Sequence, residues 1–252
     1  MSIKTATLNG VATIEIARPE KKNAITGTMY QQMAAALDAA KADPAVRAVL
    51  ITGQPGIFTS GNDIEDFMQR PPGGEPPAFA LMKALMGCDK PVIAAVTGAA
   101  IGIGTTMLLH CDFVYVSDEA RLAMPFVSLG LVPEFASSLI VPQLMGNVRA
   151  AEKLLLGEPF TAADAVECGI ANAVLPANEV VNHARRIAER FNALPPGAVR
   201  DTKVLMRRAR SASAVETIAA ESEVFGQRLR SPEAQEAFGA FFQKRKPDFS
   251  KF

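Results

Sequence analysis

Cysteine and histidine are scarce in this 252-residue chain and net charge is absent, and each shortage narrows what the protein can be. The three cysteines, Cys88, Cys111 and Cys168, are odd in number and share no metal-ligand spacing, so they are read as reduced thiols of a cytosolic core. The two histidines fall in different settings. His110, inside an apolar run, is expected to be a hydrogen-bonded core residue, and His183, on a charged helix face, to be solvent-exposed. Lys plus Arg and Asp plus Glu number 26 each, which leaves no net field to attract nucleic acid or an anionic membrane. Any anion that binds must use a local site. The opening MSIKTATLNG has neither the apolar core of a secretory signal nor the bias of a transit peptide, and the closing Ser250-Lys251-Phe252 departs from the peroxisomal Ser-Lys-Leu tail. The expected compartment is the cytoplasm. One uncharged run, residues 91–109, is long enough to cross a bilayer, but Gly98, Gly102 and Gly104 interrupt it. A buried strand, a turn and a buried helix explain it better.

With 49% hydrophobic and 21% charged residues, the composition is that of a soluble globular protein able to bury a large core. Residues 11–16 alternate as a half-buried strand does, and Arg18-Pro19 ends them. Helical spacing follows over 28–42, stopped by Asp43-Pro44. The β-branched runs 46–52 and 92–96 lack alternation, as expected of strands covered on both faces. A helix over 105–111 and a strand over 113–116 complete an α/β first half. The run 70–77, rich in proline and glycine, should be a surface loop. Beyond Ser137 the chain turns helical. Thr161-Ala-Ala-Asp164 resembles a capping box and Gly169 a helix stop, and further helices are predicted over 179–193, 198–209, 213–229 and 232–244. No internal repeat is found.

Two glycine-bearing turns follow strands: Phe58-Thr-Ser-Gly-Asn-Asp63 and the stretch from Gly98 to Thr106. Open backbone N–H groups at such turns suit a developing oxyanion, and glycine allows close approach. A dinucleotide fingerprint is disfavoured, because Met107 stands where its third glycine belongs. Glu134, after Pro133, reads either as an acid at a helix N-terminus or as a catalytic base. Asp112 is expected to satisfy buried backbone rather than titrate. The basic cluster 200–210 reads as a solvated helix face, or as a surface that meets phosphates.

Arg18-Pro-Glu-Lys-Lys-Asn-Ala24, Phe58-Thr-Ser-Gly-Asn-Asp63, Lys90-Pro-Val-Ile-Ala-Ala-Val96, Gly98 to Thr106, Cys111-Asp112 and the closing Phe241-Phe-Gln-Lys-Arg-Lys-Pro-Asp-Phe249 resemble, in order, the signatures of the enoyl-CoA hydratase/isomerase, or crotonase, family. The resemblance implies a ClpP-like α/β spiral of ββα units over residues 1–195 and a C-terminal helical oligomerisation region over 196–252. It implies a homotrimer or homohexamer, an acyl-CoA thioester as substrate, and no metal or redox cofactor. It also implies an oxyanion hole from the backbone N–H groups of Ser60 and Ile103. By the same likeness Lys21, Lys22 and Ala24, with Asp63 and Ile64, would line the CoA site. Phe241 and Lys244 would reach a CoA, unless they belong to a plain amphipathic surface helix.

The departures from the family are as informative. Hydratases of the family carry two glutamates that hold and split a water, and those positions align here with Thr106 and Phe126. Neither can act as a base. Leu129-Gly-Leu-Val-Pro-Glu134 instead resembles the segment in which monofunctional 3,2-enoyl-CoA isomerases keep one catalytic glutamate, and apolar neighbours such as Phe126, Leu131 and Phe135 would raise its pKa. Moving a double bond from C3 to C2 requires a proton taken from C2 and returned at C4, which one base on one face can do. Adding water needs a positioned water and usually an acid as well. The expected activity is 3-enoyl-CoA to 2-enoyl-CoA isomerisation, with 2-enoyl-CoA hydration or acyl-CoA binding without chemistry as the alternatives.

Overall fold

The computed structural model describes residues 2–68 and 75–252. Most of the loop expected over 70–77 lies outside them. Among the described residues ten strands form two sheets. In chain order they are β1 (Ile3–Leu8), β2 (Val11–Ile16), β3 (Ala48–Thr52), β4 (Ile57–Thr59), β5 (Val92–Val96), β6 (Ala99–Ile101), β7 (Phe113–Ser117), β8 (Arg121–Ala123), β9 (Phe160–Thr161) and β10 (Ala173–Leu175). The larger sheet has the order β1-β2-β3-β5-β7-β10, parallel except for the β1–β2 hairpin, and the smaller has the order β4-β6-β8-β9. The chain thus passes from β3 to β4, β5 to β6 and β7 to β8, laying one strand in each sheet at every turn of a spiral.

The helices are α1 (Gly27–Ala42), α2 (Ile64–Met68), α3 (Ala78–Gly87), α4 (Ile103–Thr106), α5 (Ser137–Met145), α6 (Asn147–Leu154), α7 (Ala162–Glu167), α8 (Val180–Glu189), α9 (Pro196–Arg228) and α10 (Pro232–Phe242). Every residue of β3 and β5 is buried. The reason is the two-sided cover expected from their unbroken apolar runs. Val49, Ile51, Val92, Ala94 and Val96 join a core with Met29, Met33, Leu37, Leu81 and Leu85 of α1 and α3. Ala48, Leu50, Ile93 and Ala95 meet Val180, Ala184 and Ala188 of α8 on the opposite face. Ala214, Ile218, Ala234 and Phe238 of α9 and α10 belong to the first of these cores.

Several expectations are corrected. The first strand expected from the sequence is the one over 11–16, yet β1 precedes it and pairs with it through Asn9-Gly10, whose positive φ values of 48° and 72° make the tight hairpin turn. The two helices predicted over 198–209 and 213–229 are one 33-residue helix. Neither proline nor glycine stands at 210–213 to break it, and the Ser211 hydroxyl is accommodated by donating back to Arg207 O. The helix expected over 105–111 is a single α-turn followed by a 3-10 turn, Met107–His110. His183 is half-buried rather than exposed, edge-on to the Tyr115 ring at 4.6 Å. The capping box at Thr161 and Asp164 is present. Among the described residues no helix is long and apolar enough to cross a membrane.

The basic stretch of α9 is a solvated face only in part: Arg200 and Arg208 are exposed, and the others turn inward. Lys203 is buried, and its ammonium meets Asp112 Oδ2 at 2.6 Å and Lys90 O at 2.5 Å. Arg207 meets Asp112 Oδ1 at 2.9 Å and His110 O at 2.6 Å. Asp112 also accepts the Val92 amide at 2.7 Å. One carboxylate therefore joins the start of β5 to the long helix, in keeping with the structural role expected of it.

Candidate active site

The two glycine-bearing turns leave the ends of β4 and β6, which are parallel neighbours in the small sheet. They touch: a Cβ built on Gly61 would fall 2.9 Å from Ile101 O, and one on Gly104 would fall 2.5 Å from Thr59 Cγ2. Gly102, at φ 58° and ψ −119°, takes a backbone conformation that side chains disfavour. These glycines bring two stretches of open backbone side by side.

The direction of each amide decides what the turns can do. Along the first turn Ser60 N donates to Lys22 O at 3.1 Å, Gly61 N to Thr59 Oγ1 at 3.0 Å and Asp63 N to Ile25 O at 2.9 Å. Asn62 N has no acceptor among the described residues. Along the second turn Gly102 N donates to Ala123 O, and Thr105 and Thr106 both donate to Gly102 O. The Ile103 amide, first in α4, has no acceptor among the described residues. Ser60, expected as one donor, is therefore engaged with Lys22, and the open pair is Asn62 with Ile103. The parallel bridge between Ile25 and Asn62 explains the difference: residues 61 and 63 spend their polar groups on Ile25, and the amide between them faces away. No pattern in the sequence marks which of four successive amides is left over.

The segment expected to bind CoA is fastened to the first turn. Arg18 meets Asp63 Oδ2 at 2.6 Å and Ala24 O at 3.0 Å. Asn23, fully buried, donates to Ile16 O and Phe58 O. Burial raises the Asp63 pKa, but the Arg18 guanidinium and the Asp66 amide outweigh it and hold the carboxyl below its ordinary value. Lys21 and Lys22 stay exposed at the rim of this turn, Ala24 and Ile64 are half-buried, and Phe238 packs on Phe67, which sets α10 beside α2. Phe241 is exposed in the last turn of α10, and Lys244 is exposed just beyond the end of that helix.

Thr106 is fully buried and Phe126 nearly so. The Phe126 ring lies across from the Gly102 turn, 4.0 Å from where a Cβ there would be. Phe126 O in turn accepts the amides of Leu129 and Leu131 and so ties in the segment that carries Glu134. Glu134 is half-buried, with Oε1 shielded from solvent. The two residues after it, Phe135 and Ala136, both take left-handed φ values, 60° and 57°. Such backbone costs about 1 kcal/mol or more per residue and persists only where its surroundings fix it. His110, at the end of the helical stretch that begins with Ile103, supplies one constraint. Its ring stacks on Phe135 at 3.9 Å and its Nε2 donates to Phe135 O at 2.8 Å.

Burial pushes the His110 pKa down to about 4, with Arg210 and Arg207 adding to the effect and the Phe135 carbonyl opposing it. The imidazole is therefore neutral in the fold at neutral pH. Because the folded pKa lies below the ordinary value of 6.5, the contribution to stability is full above 6.5 and is lost as pH falls toward 4. Going from pH 7 to pH 5 is expected to remove about 2 kcal/mol through this group. Urea unfolding of the parent and of His110→Gln at the two pH values measures it. The variant should show the shallower dependence, and equal slopes would contradict the assignment.

A cleft of about 220 Å³ lies elsewhere, lined by Pro44, Arg47, Lys90, Phe191, Pro196 and Arg200 among others. It sits before β3 and β5, whereas open α/β sheets bind ligands beyond the carboxyl ends of their strands. The open amides lie on that side.

Strand–strand–helix units wound into two sheets, with the working turns at the strand ends, define a protein of the crotonase fold. A model described as enoyl-CoA hydratase/isomerase matches residues 6–251, and the chain belongs to that family of enzymes. It is 36% identical over 245 residues to human enoyl-CoA delta isomerase 2, covering 94% of this chain and 62% of the human protein. This chain thus spans less than two thirds of that relative. It is 29% identical to a probable enoyl-CoA hydratase of Bacillus subtilis, with 95% of each chain covered. Among solved structures, Pseudomonas aeruginosa OdaA superimposes with a TM-score of 0.93 at 51% identity, covering 95% of this chain and 98% of that one.

Proposed function

We propose that the protein converts 3-enoyl-CoA to 2-enoyl-CoA, with Glu134 as the base that takes the C2 proton and returns it at C4. The observation that carries this reading is the wall beside Ile103. Thr106 and Phe126 are both buried and bear no carboxylate at the positions where the family resemblance puts the two glutamates of hydratases, and Glu134 lies on the segment that Phe126 and His110 tie to this wall. The likeness to the human delta isomerase supports it.

In this mechanism the thioester carbonyl sits between the Asn62 and Ile103 amides, and the enolate oxygen gains charge as the proton leaves. Each donor contributes about 3 kcal/mol to that transition state. Lys21, Lys22, Ala24, Asp63 and Ile64 line the CoA nucleotide, and Phe241 and Lys244 reach a CoA. The reaction calls for no metal or redox group. Residues 196–252 form the oligomerisation region of a trimer or a pair of trimers, since α9 and α10 leave Val204, Leu205, Met206, Val215 and Phe241 exposed.

The hydratase relatives keep a second reading in play, in which Glu134 activates a water for addition to 2-enoyl-CoA. A side-by-side assay of both thioesters tests the choice. Isomerase turnover is expected to exceed hydration by roughly 10²-fold, because a single base lacks the acid partner that hydration uses. Hydration equal to or faster than isomerisation would reverse the assignment, and no turnover of either would leave acyl-CoA binding alone.

A further inference from the structure

The left-handed turn after Glu134 is gripped from a distant part of the chain. Glu221, on α9, is only 8% exposed. Its Oε2 accepts the Ala136 amide at 2.7 Å, and its Oε1 accepts the Ser138 amide at 3.0 Å and the Ser138 hydroxyl at 2.5 Å. All three partners are donors, so the site is matched to an ionised carboxylate, which only accepts. Burial raises the Glu221 pKa, against the lowering effect of the three hydrogen bonds, and among the described residues no cation pairs with it. A buried carboxylate without a counter-charge is costly, and a plain helix cap could be had from a serine or aspartate at the N-cap itself. Ala136 occupies that position and has no side chain to cap with.

The same helix also fixes the other side of the turn. Arg207 donates to His110 O, and His110 holds the Phe135 carbonyl and ring. Residues 135, 136 and 138 are thus constrained by groups that α9 presents or orients. Glu134 immediately precedes them, and Ser137 donates both its amide and its hydroxyl to Glu134 O. The direction in which the Glu134 side chain leaves the backbone is therefore set by this turn.

We propose that Glu221 is a positioning residue for Glu134: by holding the Ala136 and Ser138 amides it fixes the left-handed turn, and so makes the geometry of the base depend on the docking of α9. The proposal rests on the reading of Glu134 as the base. It differs from a purely structural cap in what it requires of catalysis. A cap lost from α5 would lower stability and leave the turnover of folded molecules unchanged. A released turn would misplace the base, and a shift of about 1 Å can cost 10²-fold in rate.

The test uses the full chain and 3-enoyl-CoA, with Glu221→Gln, Ser138→Ala, Glu134→Gln and the double variant Glu221→Gln/Glu134→Gln. Glutamine keeps the size of Glu221 but turns an N–H₂ group toward a donor. It should lower kcat roughly 10- to 10²-fold per folded molecule. KM should stay within about 3-fold, since uniform binding of substrate is untouched. Ser138→Ala removes one of the three bonds from an exposed residue, so it reports even if Glu221→Gln fails to fold, and it should lower kcat by several-fold. Once Glu134 is already Gln, adding Glu221→Gln should cost nothing more, the non-additivity expected of residues that act as one unit. Parent-like kcat in both Glu221→Gln and Ser138→Ala, or a loss that multiplies in full in the double variant, would overturn the proposal. Parent-like turnover in Glu134→Gln would instead remove the base assignment. The crystal structure of Glu221→Gln would then decide on its own, because an undisplaced turn at 135–138 refutes positioning whatever the base is.

Discussion

Replacing Glu134 by Gln is expected to lower isomerase turnover by roughly 10²-fold or more while leaving the fold intact. The substitution keeps the volume and the backbone of the left-handed turn, and the amide cannot take a proton from C2. Some turnover should survive. In the proposed mechanism the Asn62 and Ile103 amides would still stabilise the enolate oxygen, and removing a base does not remove that contribution. Initial rates at saturating 3-enoyl-CoA, with a thermal melt as the control for folding, measure the effect. A rate within a few-fold of the parent would show that another group moves the proton. KM should change little, because the side chain acts on the reacting carbon rather than on the CoA that provides most of the binding.

The second large effect concerns stability. Asp112→Ala should destabilise the protein by about 3 kcal/mol or more, since it strands the buried Lys203 ammonium and unpairs Arg207 at once. Burial already depresses the Lys203 pKa despite the attraction of Asp112, so the ammonium depends on that partner. The Val92 amide would lose its acceptor as well. Urea denaturation provides the number. A loss below about 1 kcal/mol would mean that water reaches the site and replaces the carboxylate. The double change Asp112→Asn with Lys203→Met should recover part of the loss, because a buried pair replaced by neutral groups of similar size is often tolerated. Activity should fall along with stability in Asp112→Ala, since the same helix carries Glu221.

Much of the site was legible before the fold. Arg18, Asn23, Asp63 and the glycines of both turns lie in short stretches whose residue types suit the local backbone, and the structure brings those around residues 18–25 and 58–63 into contact, whereas Glu134 reads either as a helix-terminal acid or as a base until the family resemblance is added. The β-branched runs of β3 and β5 announced strands covered on both sides, and they are. The small sheet was invisible. Its strands are two or three residues long, too short for any periodicity; β4, β6 and β8 each follow a strand of the large sheet around a turn, and β9 joins from the chain after α6.

What the sequence by itself determined is therefore the set of chemical groups and the local backbone that presents them. An apolar run, a proline stop or a glycine at positive φ acts over a few residues, and such constraints are written where they act. Only the tertiary structure decided which amide is open, because the Ser60 amide is closed by Lys22 and the bridge to Ile25 leaves the Asn62 amide without an acceptor among the described residues. It likewise decided that Lys203 is buried on Asp112 instead of exposed on a charged face, and that Glu221 reaches the Glu134 turn across 85 positions of chain. Hydrogen bonds and ion pairs form between whatever groups folding brings within about 3 Å, and for residues far apart in sequence that nearness is a property of the packed whole.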